Sequence, residues 1–263
     1  QGIDLVVLGP RGSVAARLYP PVINKTVATR IAQYRAMLDG RGLEAVRGIV
    51  EAKLRNQAAL LRYAAKSRRE EWPALEAERI AAIADELRDL PAEPAEFRDA
   101  EARAARIYWR AVARLLPPDY GFAGRDPSGL DPFNLALNYG YGVLYSRCER
   151  ALLLVGLDPY GGFMHSPKSG HRTLVYDFIE QFRPVAVDKP LVFSRLELEI
   201  VNGLLSRDSR REIARLVLDT LSKPHFHCSS KRPLEEIVMR KAWELASYLR
   251  GTLNAYAGYR ARW

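Results

Sequence analysis

The sequence predicts a mainly α-helical protein, with a helical domain over residues 25–263 preceded in 1–24 by the last strands of a small N-terminal β-domain and a linker. Three observations predict it. From about Thr26 onward, apolar residues recur at three- and four-residue spacing, the period of a helix with one buried face. Ahead of that point stand two short β-rich apolar runs, too few to make a stable sheet alone. Although 48% of its residues are hydrophobic, the chain has no uninterrupted apolar run of about eighteen residues, so a membrane-spanning helix is not expected.

The elements follow in order. Ile3 to Leu8 reads as a strand, Gly9-Pro10-Arg11-Gly12 punctuates it, and Val14 to Leu18 returns as a second strand. The chain opens on Gln1, and an isolated strand pair there reads as the tail of a β-domain. Pro20-Pro21 then acts as a linker. Helical periodicity covers Val27–Leu38, Leu43–Ala65, Glu70–Leu90 and Ala95–Leu116, with Pro91 and Pro94 separating the third and fourth. Pro117-Pro118 ends the fourth, because proline lacks the amide a helix needs. Gly121–Pro132 reads as a loop. Helices resume at Phe133–Leu154, Arg172–Phe182, Ser194–Leu205, Ser209–Leu221 and Leu234–Leu249.

A formal charge of +9 favours a polyanionic partner, since each phosphate neutralised releases condensed counterions. A basic protein without such a partner, or one at a membrane surface, is the alternative. The two cysteines, Cys148 and Cys228, lie far apart and lack the spacing of a metal ribbon or a disulfide framework. With no charged-then-apolar leader visible, a reducing, cytoplasmic setting is the expectation.

Four carboxylates and histidines are candidates for chemistry. On the helix Asp99–Leu116, an apolar stripe runs from Ala100 through Ala104, Tyr108 and Ala111 to Leu115. Glu101 falls inside that stripe, whereas Arg103, Arg106, Arg110 and Arg114 fall toward the other side. A carboxylate on a core-facing stripe is costly unless it is paired, protonated or bound to metal. Either a structural pairing or a metal accounts for it. His165 follows the flexible pair Gly161-Gly162, and reads as a hydrogen-bonded loop residue or as a ligand. Asp177 and Glu180, at i and i+3, lie opposite the stripe of Leu174, Val175, Phe178, Ile179 and Phe182. They form a solvated acidic patch or line a cleft that holds a hard cation. His225-Phe226-His227-Cys228 sits after Pro224 without a second ligand pair, and the basic run Arg207–Arg211 reads as surface that also suits phosphate.

The order of these pieces resembles CRISPR-associated protein 1, the integrase of CRISPR adaptation. Four stretches carry the likeness: Glu101-Ala102-Arg103-Ala104-Ala105-Arg106-Ile107-Tyr108-Trp109; Asp131-Pro132-Phe133-Asn134 with Leu137-Asn138-Tyr139-Gly140-Tyr141; Gly156-Leu157-Asp158-Pro159 through Gly162-Phe163-Met164-His165; and Leu174 through Glu180-Gln181-Phe182-Arg183-Pro184 to Asp188. Weaker echoes are Arg30 and Gln33, Lys53 with Asn56-Gln57, and Leu249-Arg250-Gly251. The resemblance implies a β-domain followed by a helical catalytic domain, and a metal-dependent DNA endonuclease and integrase. It implies Glu101, His165 and Glu180 as ligands of Mg²⁺ or Mn²⁺, with Asp177 as the neighbouring catalytic carboxylate. The loop Ser166–Arg172 is longer than usual in the family, which leaves open whether Asp177 or Glu180 coordinates.

Histidine nitrogen and carboxylate oxygens suit such a cation. A 3′-hydroxyl would attack a phosphodiester by transesterification, with no need of ATP. Arg125, Arg147, Lys168, Arg172 and Arg183 are expected phosphate ligands; Tyr139 and Tyr141 are expected either to stack on bases or to pack in the core. The implied partners are double-stranded DNA (prespacer and CRISPR repeat), a second copy in a homodimer, and CRISPR-associated protein 2. A fused reverse transcriptase or CRISPR-associated protein 4 domain is a further implied association. A stand-alone nuclease or transposon-type integrase acting on branched DNA, and a non-catalytic helical scaffold, are the rival readings.

Overall fold

A computed structural model describes residues 5–8, 14–18, 26–165 and 170–262. The architecture is mainly helical, as the periodicity predicts. Strands β1 (Leu5–Leu8) and β2 (Val14–Leu18) pair antiparallel, with an irregularity in register at Val7/Leu8. The expected turn at Gly9–Gly12 and the Pro20-Pro21 linker lie outside the described residues.

Helices α1 (Thr26–Leu38), α2 (Arg41–Arg68), α3 (Trp72–Glu86) and α4 (Pro94–Leu115) come next. Gly40 begins α2 from a left-handed conformation (φ 82°), and Arg69 closes it in the same region. Pro94 opens α4 at a first-turn position where its missing amide costs nothing. Asp131 caps α5 (Pro132–Leu154) by accepting from the Asn134 amide at 2.9 Å. The long helices α2 and α5 are the two axes of the core. α3 and α4 pack on α2, while α6 (Thr173–Ile179), α8 (Arg207–Ser222) and α9 (Leu234–Leu249) pack on α5. Leu54, Leu61, Leu137, Leu144, Val217 and Leu245 are fully buried among them. Burial of each such side chain contributes about 1.5–3 kcal/mol. No described helix is long and apolar enough to cross a membrane.

Three departures from the sequence reading matter. The segment Ser194–Leu205 is not a helix. Tyr120 takes both backbone groups of Leu196, accepting from its amide at 3.1 Å and donating to its carbonyl at 2.7 Å. A hairpin of β3 (Ile200–Val201) and β4 (Leu204–Leu205) follows. Its turn is Asn202-Gly203, both with positive φ, the strongest short-range hairpin signal in a sequence. A second hairpin, β5 (Pro224–His227) with β6 (Ser230–Pro233), holds His225 and His227 as strand residues, not loop ligands; His227 Nε2 lies 3.6 Å from Glu244 Oε1.

The third departure concerns α6. It ends at Ile179, and the chain then passes through a helical turn at Glu180–Arg183 into a π-helical turn, Pro184–Asp188, and α7 (Lys189–Phe193). Asp177 and Glu180 are both buried, although their side of the helix lies opposite the apolar stripe. The reason is that α6 is covered on its second face by α2 and by the loop 161–165. Finally, residues 256–261 run against α2: a Cβ added to Gly258 would stand 2.4 Å from the Gly48 carbonyl oxygen, so only glycine permits this approach.

Candidate active site

The site is assembled from α2, α4, the end of α6 and the loop that ends at His165. Glu101, on α4, faces α2 as its place in the apolar stripe predicts, and its partner is Lys53. Lys53 Nζ donates to Glu101 Oε1 at 3.0 Å and lies 2.6 Å from Glu180 Oε2. One ammonium therefore holds a carboxylate from α4 and one from the turn that follows α6. All three side chains are largely enclosed, at 16% (Lys53), 14% (Glu101) and 8% (Glu180) exposure. Burial alone would lower the Lys53 pKa, but the charges of Glu101 and Glu180 outweigh it and hold the ammonium above its ordinary value. Burial likewise works to raise the Glu180 carboxyl, and Arg183 with Lys53 reverses the sign, so that Glu180 stays ionised. Arg183 Nη1 sits 2.5 Å from the other oxygen, Glu180 Oε1.

His165 is delivered by a tightly folded loop. Gln33 pins its start, donating to the carbonyls of Asp158 (2.9 Å) and Gly161 (2.7 Å) and accepting from the Asp158 amide (2.8 Å). Gly162 then lies directly on Thr173, where any Cβ would approach within 2.7 Å of its backbone. Asp177, wholly enclosed, accepts from the amides of Phe163 (2.7 Å), Met164 (3.1 Å) and His165 (3.2 Å). It also accepts from His165 Nδ1 at 2.5 Å. An ionised carboxylate can only accept, so in the neutral imidazole the proton sits on Nδ1 and Nε2 keeps its lone pair. The Asp177 hydrogen bond is the main cause that raises the His165 pKa above 6.5; burial opposes it, and Asp177, Glu180 and Glu101 add to it by charge. His165 therefore feels both carboxylates that Lys53 bridges.

A second buried anion braces this arrangement. Asp188, at the end of the π-helical turn, accepts from Tyr108 (2.9 Å) on α4 and from Tyr141 (2.6 Å) on α5. Burial raises its pKa, and the two hydroxyls and Arg183 work against that. Tyr108 lies two helical turns after Glu101, so the Asp188 bridge fixes α4 relative to the turn that carries Glu180.

The donor set fits a hard divalent cation: two carboxylates and an imidazole with a free nitrogen. Glu180 Oε2 is buried, and the group that meets it is the Lys53 ammonium, at 2.6 Å. Among the described residues, no three histidine, cysteine, aspartate or glutamate side chains stand close enough to hold an ion as placed. The bridging position between Glu101 and Glu180 belongs to the Lys53 ammonium.

The expected nucleic-acid residues fall in varied settings. Arg183 is engaged by Glu180 and lies over the Tyr141 ring at 4.7 Å. Arg172 pairs with buried Glu149 at 2.8 Å. Arg125 donates to Asn134 (2.9 Å) and Asn138 (2.6 Å). Arg147 and Tyr139 are half-buried on α5, and Lys168 lies outside the described residues. Of the two uses open to Tyr141, the structure gives core packing, with its hydroxyl on Asp188.

Lys53 and the Tyr108–Asp188–Tyr141 bridge are site features beyond those predicted from the sequence. Signals for both were present. Lys53, Asn56 and Gln57 share one side of α2 at i, i+3 and i+4, and Asp188 closes the apolar run Val185-Ala186-Val187, where a carboxylate needs partners.

A family model described as CRISPR associated protein Cas1 matches residues 1–219. The CRISPR-associated endonuclease Cas1 of Hyperthermus butylicus is 42% identical over 261 residues, covering 95% of this chain and 78% of that protein. The CRISPR-associated endonuclease Cas1 2 of Pyrobaculum aerophilum is 40% identical over 248 residues, covering 94% of this chain and 79% of that one. Among solved structures, a casposase bound to integration product matches with a TM-score of 0.83 at 24% identity, covering 97% of this chain and 73% of that chain. A chain of a Cas6-RT-Cas1–Cas2 complex matches with a TM-score of 0.79 at 18% identity, covering 98% of this chain and 30% of that chain. The two structural matches establish the fold.

Proposed function

The chain belongs to the family of CRISPR associated protein Cas1, and on that premise we propose that it is a metal-dependent DNA endonuclease and integrase of CRISPR adaptation. In this reading it joins the 3′-hydroxyl ends of spacer DNA into a CRISPR repeat by transesterification. One observation carries the assignment: Glu101 from α4 and Glu180 from the turn after α6, brought into a largely enclosed space, share the Lys53 ammonium beside a histidine whose pKa both of them raise. Holding two desolvated carboxylates together is costly, and metal binding is the use we assign to that cost.

Glu101, Glu180 and His165 Nε2 are the proposed ligands of Mg²⁺ or Mn²⁺. Asp177 is a positioning residue, because its oxygens are already occupied by three amides and His165 Nδ1. When bound, the ion would supply charge to neutralise the transferring phosphate and favour attack by a 3′-hydroxyl. His165 is kept in one tautomer by Asp177 and in place by the Gln33-pinned loop. Arg183 keeps Glu180 ionised and oriented. Arg125, Arg172 and Arg183 are held by protein partners, so they would meet phosphates as fixed charges, with Arg147, half-buried on α5, as a further proposed contact. The proposed working unit is a homodimer on double-stranded DNA together with CRISPR-associated protein 2; the likeness to a chain of a Cas6-RT-Cas1–Cas2 complex supports that partner.

The test uses a labelled donor with free 3′-hydroxyl ends and an unlabelled repeat duplex, incubated with Mn²⁺ or Mg²⁺. Label covalently attached to the repeat supports integration. Cleaved repeat without attached label identifies a simple nuclease, and neither product with either ion leaves the scaffold reading.

The raised His165 pKa sets a pH signature with two opposite signs. Protonation of Nε2 removes a ligand, so Mn²⁺ binding at limiting metal should fall as pH drops through a value above 6.5. The stability that His165 gains from Asp177 in metal-free protein runs the other way. It is fully present below the unfolded value of 6.5 and is lost as pH rises through the folded one. Mn²⁺ titrations and melting curves in chelator across this window check both arms; parallel trends would contradict the assignment.

A further inference from the structure

We propose that Lys53 is a resident counter-ion which a divalent cation displaces from between Glu101 and Glu180, and that the freed ammonium then serves the phosphate of bound DNA. The inference rests on the reading of Glu101, Glu180 and His165 as metal ligands. It begins from a division of labour on one carboxylate. Glu180 Oε1 is paired with Arg183 at 2.5 Å, whereas Oε2 is paired with Lys53 at 2.6 Å. The two oxygens of Glu180 thus answer to two different cations. The Arg183 grip holds Glu180 in place whichever cation occupies its other oxygen.

Two carboxylates enclosed this tightly repel one another and require a positive charge between them. In the metal-free protein a single ammonium supplies it, from a helix whose neighbouring residues Ala52 and Leu54 are fully buried and fix its backbone. A divalent ion brings twice the charge and accepts oxygen donors from several directions at once, so it outcompetes one lysine for the same pair. The displaced side chain has a flexible four-carbon stem on a rigid base. It stays within reach of the site and becomes a phosphate-facing cation next to the metal. Lys53 thus opposes metal entry and assists the reaction afterwards. A purely structural lysine would do neither.

The experiment compares Mn²⁺ binding by wild type, Lys53→Met, Lys53→Arg and Glu101→Gln, read from the electron paramagnetic resonance of free Mn²⁺, with melting curves in chelator and in Mn²⁺. Lys53→Met should tighten Mn²⁺ by about tenfold, because the competitor is gone. It should melt earlier than wild type in chelator and recover with Mn²⁺, while Lys53→Arg keeps weaker, wild-type-like binding. At saturating Mn²⁺, Lys53→Met should nevertheless join strands about 100-fold more slowly.

Equal or weaker Mn²⁺ binding by Lys53→Met, with binding lost in Glu101→Gln, would overturn the counter-ion role and leave the metal site standing. Unchanged binding in Glu101→Gln would overturn the site itself and this inference with it. An unimpaired joining rate in Lys53→Met would overturn the phosphate role. Acetylation footprinting of wild-type protein supplies an arm that needs no variant: Lys53 should be modified faster in Mn²⁺ than in chelator, and equal protection in both would count against displacement.

Discussion

Glu101→Ala and His165→Ala should each lower strand joining by about 10³-fold or more while DNA retention changes little. The two side chains reach the site from unrelated supports, so the shared outcome would come from chemistry and not from a common structural lesion. Glu101 projects from the middle of α4, whose packing depends on Phe97, Ala104, Tyr108 and Val112, all fully buried. Removing its carboxylate leaves Lys53 on Glu180 alone and does not open the helix. Truncating His165 spares the three amides that bind Asp177, so the loop keeps its course. His165 is also 43% exposed, and its loss costs little packing. DNA is held mostly through backbone phosphates spread over a wider basic surface. Parallel joining and filter-binding assays check this. If both variants still attach donor to repeat at wild-type rates, the ligand assignment is wrong.

The second large effect is on stability. Phe182→Ala should destabilise the fold by about 3–5 kcal/mol and lower the melting temperature by on the order of 10 °C. Phe182 is fully buried two residues after Glu180. Its ring meets Phe178 edge-on at 5.5 Å and stacks on Tyr259 at 5.8 Å. The neighbouring polar links cannot close the resulting cavity, because their geometry is already committed. Gln181 Oε1 accepts from the Tyr259 amide at 2.8 Å, and Asn56 Nδ2 donates to the carbonyls of Gln181 (2.8 Å) and Tyr259 (2.9 Å). Asn56 Oδ1 accepts from the Ala261 amide at 2.8 Å as well. The turn that presents Glu180 is therefore sewn to α2 and to the chain's last residues. Calorimetry of the variant is the check; an unchanged melting temperature would mean that the ring is not part of the cooperative core.

Much of the fold was legible in the sequence because it is written locally. The spacing of apolar residues marks α1 to α5, α8 and α9, and prolines at 94, 117, 118 and 132 mark their ends, since propensity and periodicity act within a few turns of chain. The exception at Ser194–Leu205 is instructive. Its apolar residues suit a helix, but Tyr120, distant in sequence, claims the backbone of Leu196, and the Asn202-Gly203 turn settles the rest.

Of the site, the sequence by itself determined one physical fact, that Glu101 lies on a core-facing stripe and needs a partner. The order of the motifs added His165, Asp177 and Glu180 as candidates. What only the tertiary structure decided is which groups answer one another: Lys53 stands between Glu101 and Glu180, Asp177 backs His165, Arg183 holds Glu180, and Asp188 joins two tyrosines. Periodicity even placed Asp177 and Glu180 on a polar face, and both are buried. Hydrophobic pattern reports which side of a helix faces its nearest neighbour; it does not report a second element covering the opposite side. Charges from α2, α4 and α6 meet only after those helices pack, and the energy of their meeting depends on distance and desolvation, which one-dimensional spacing does not contain.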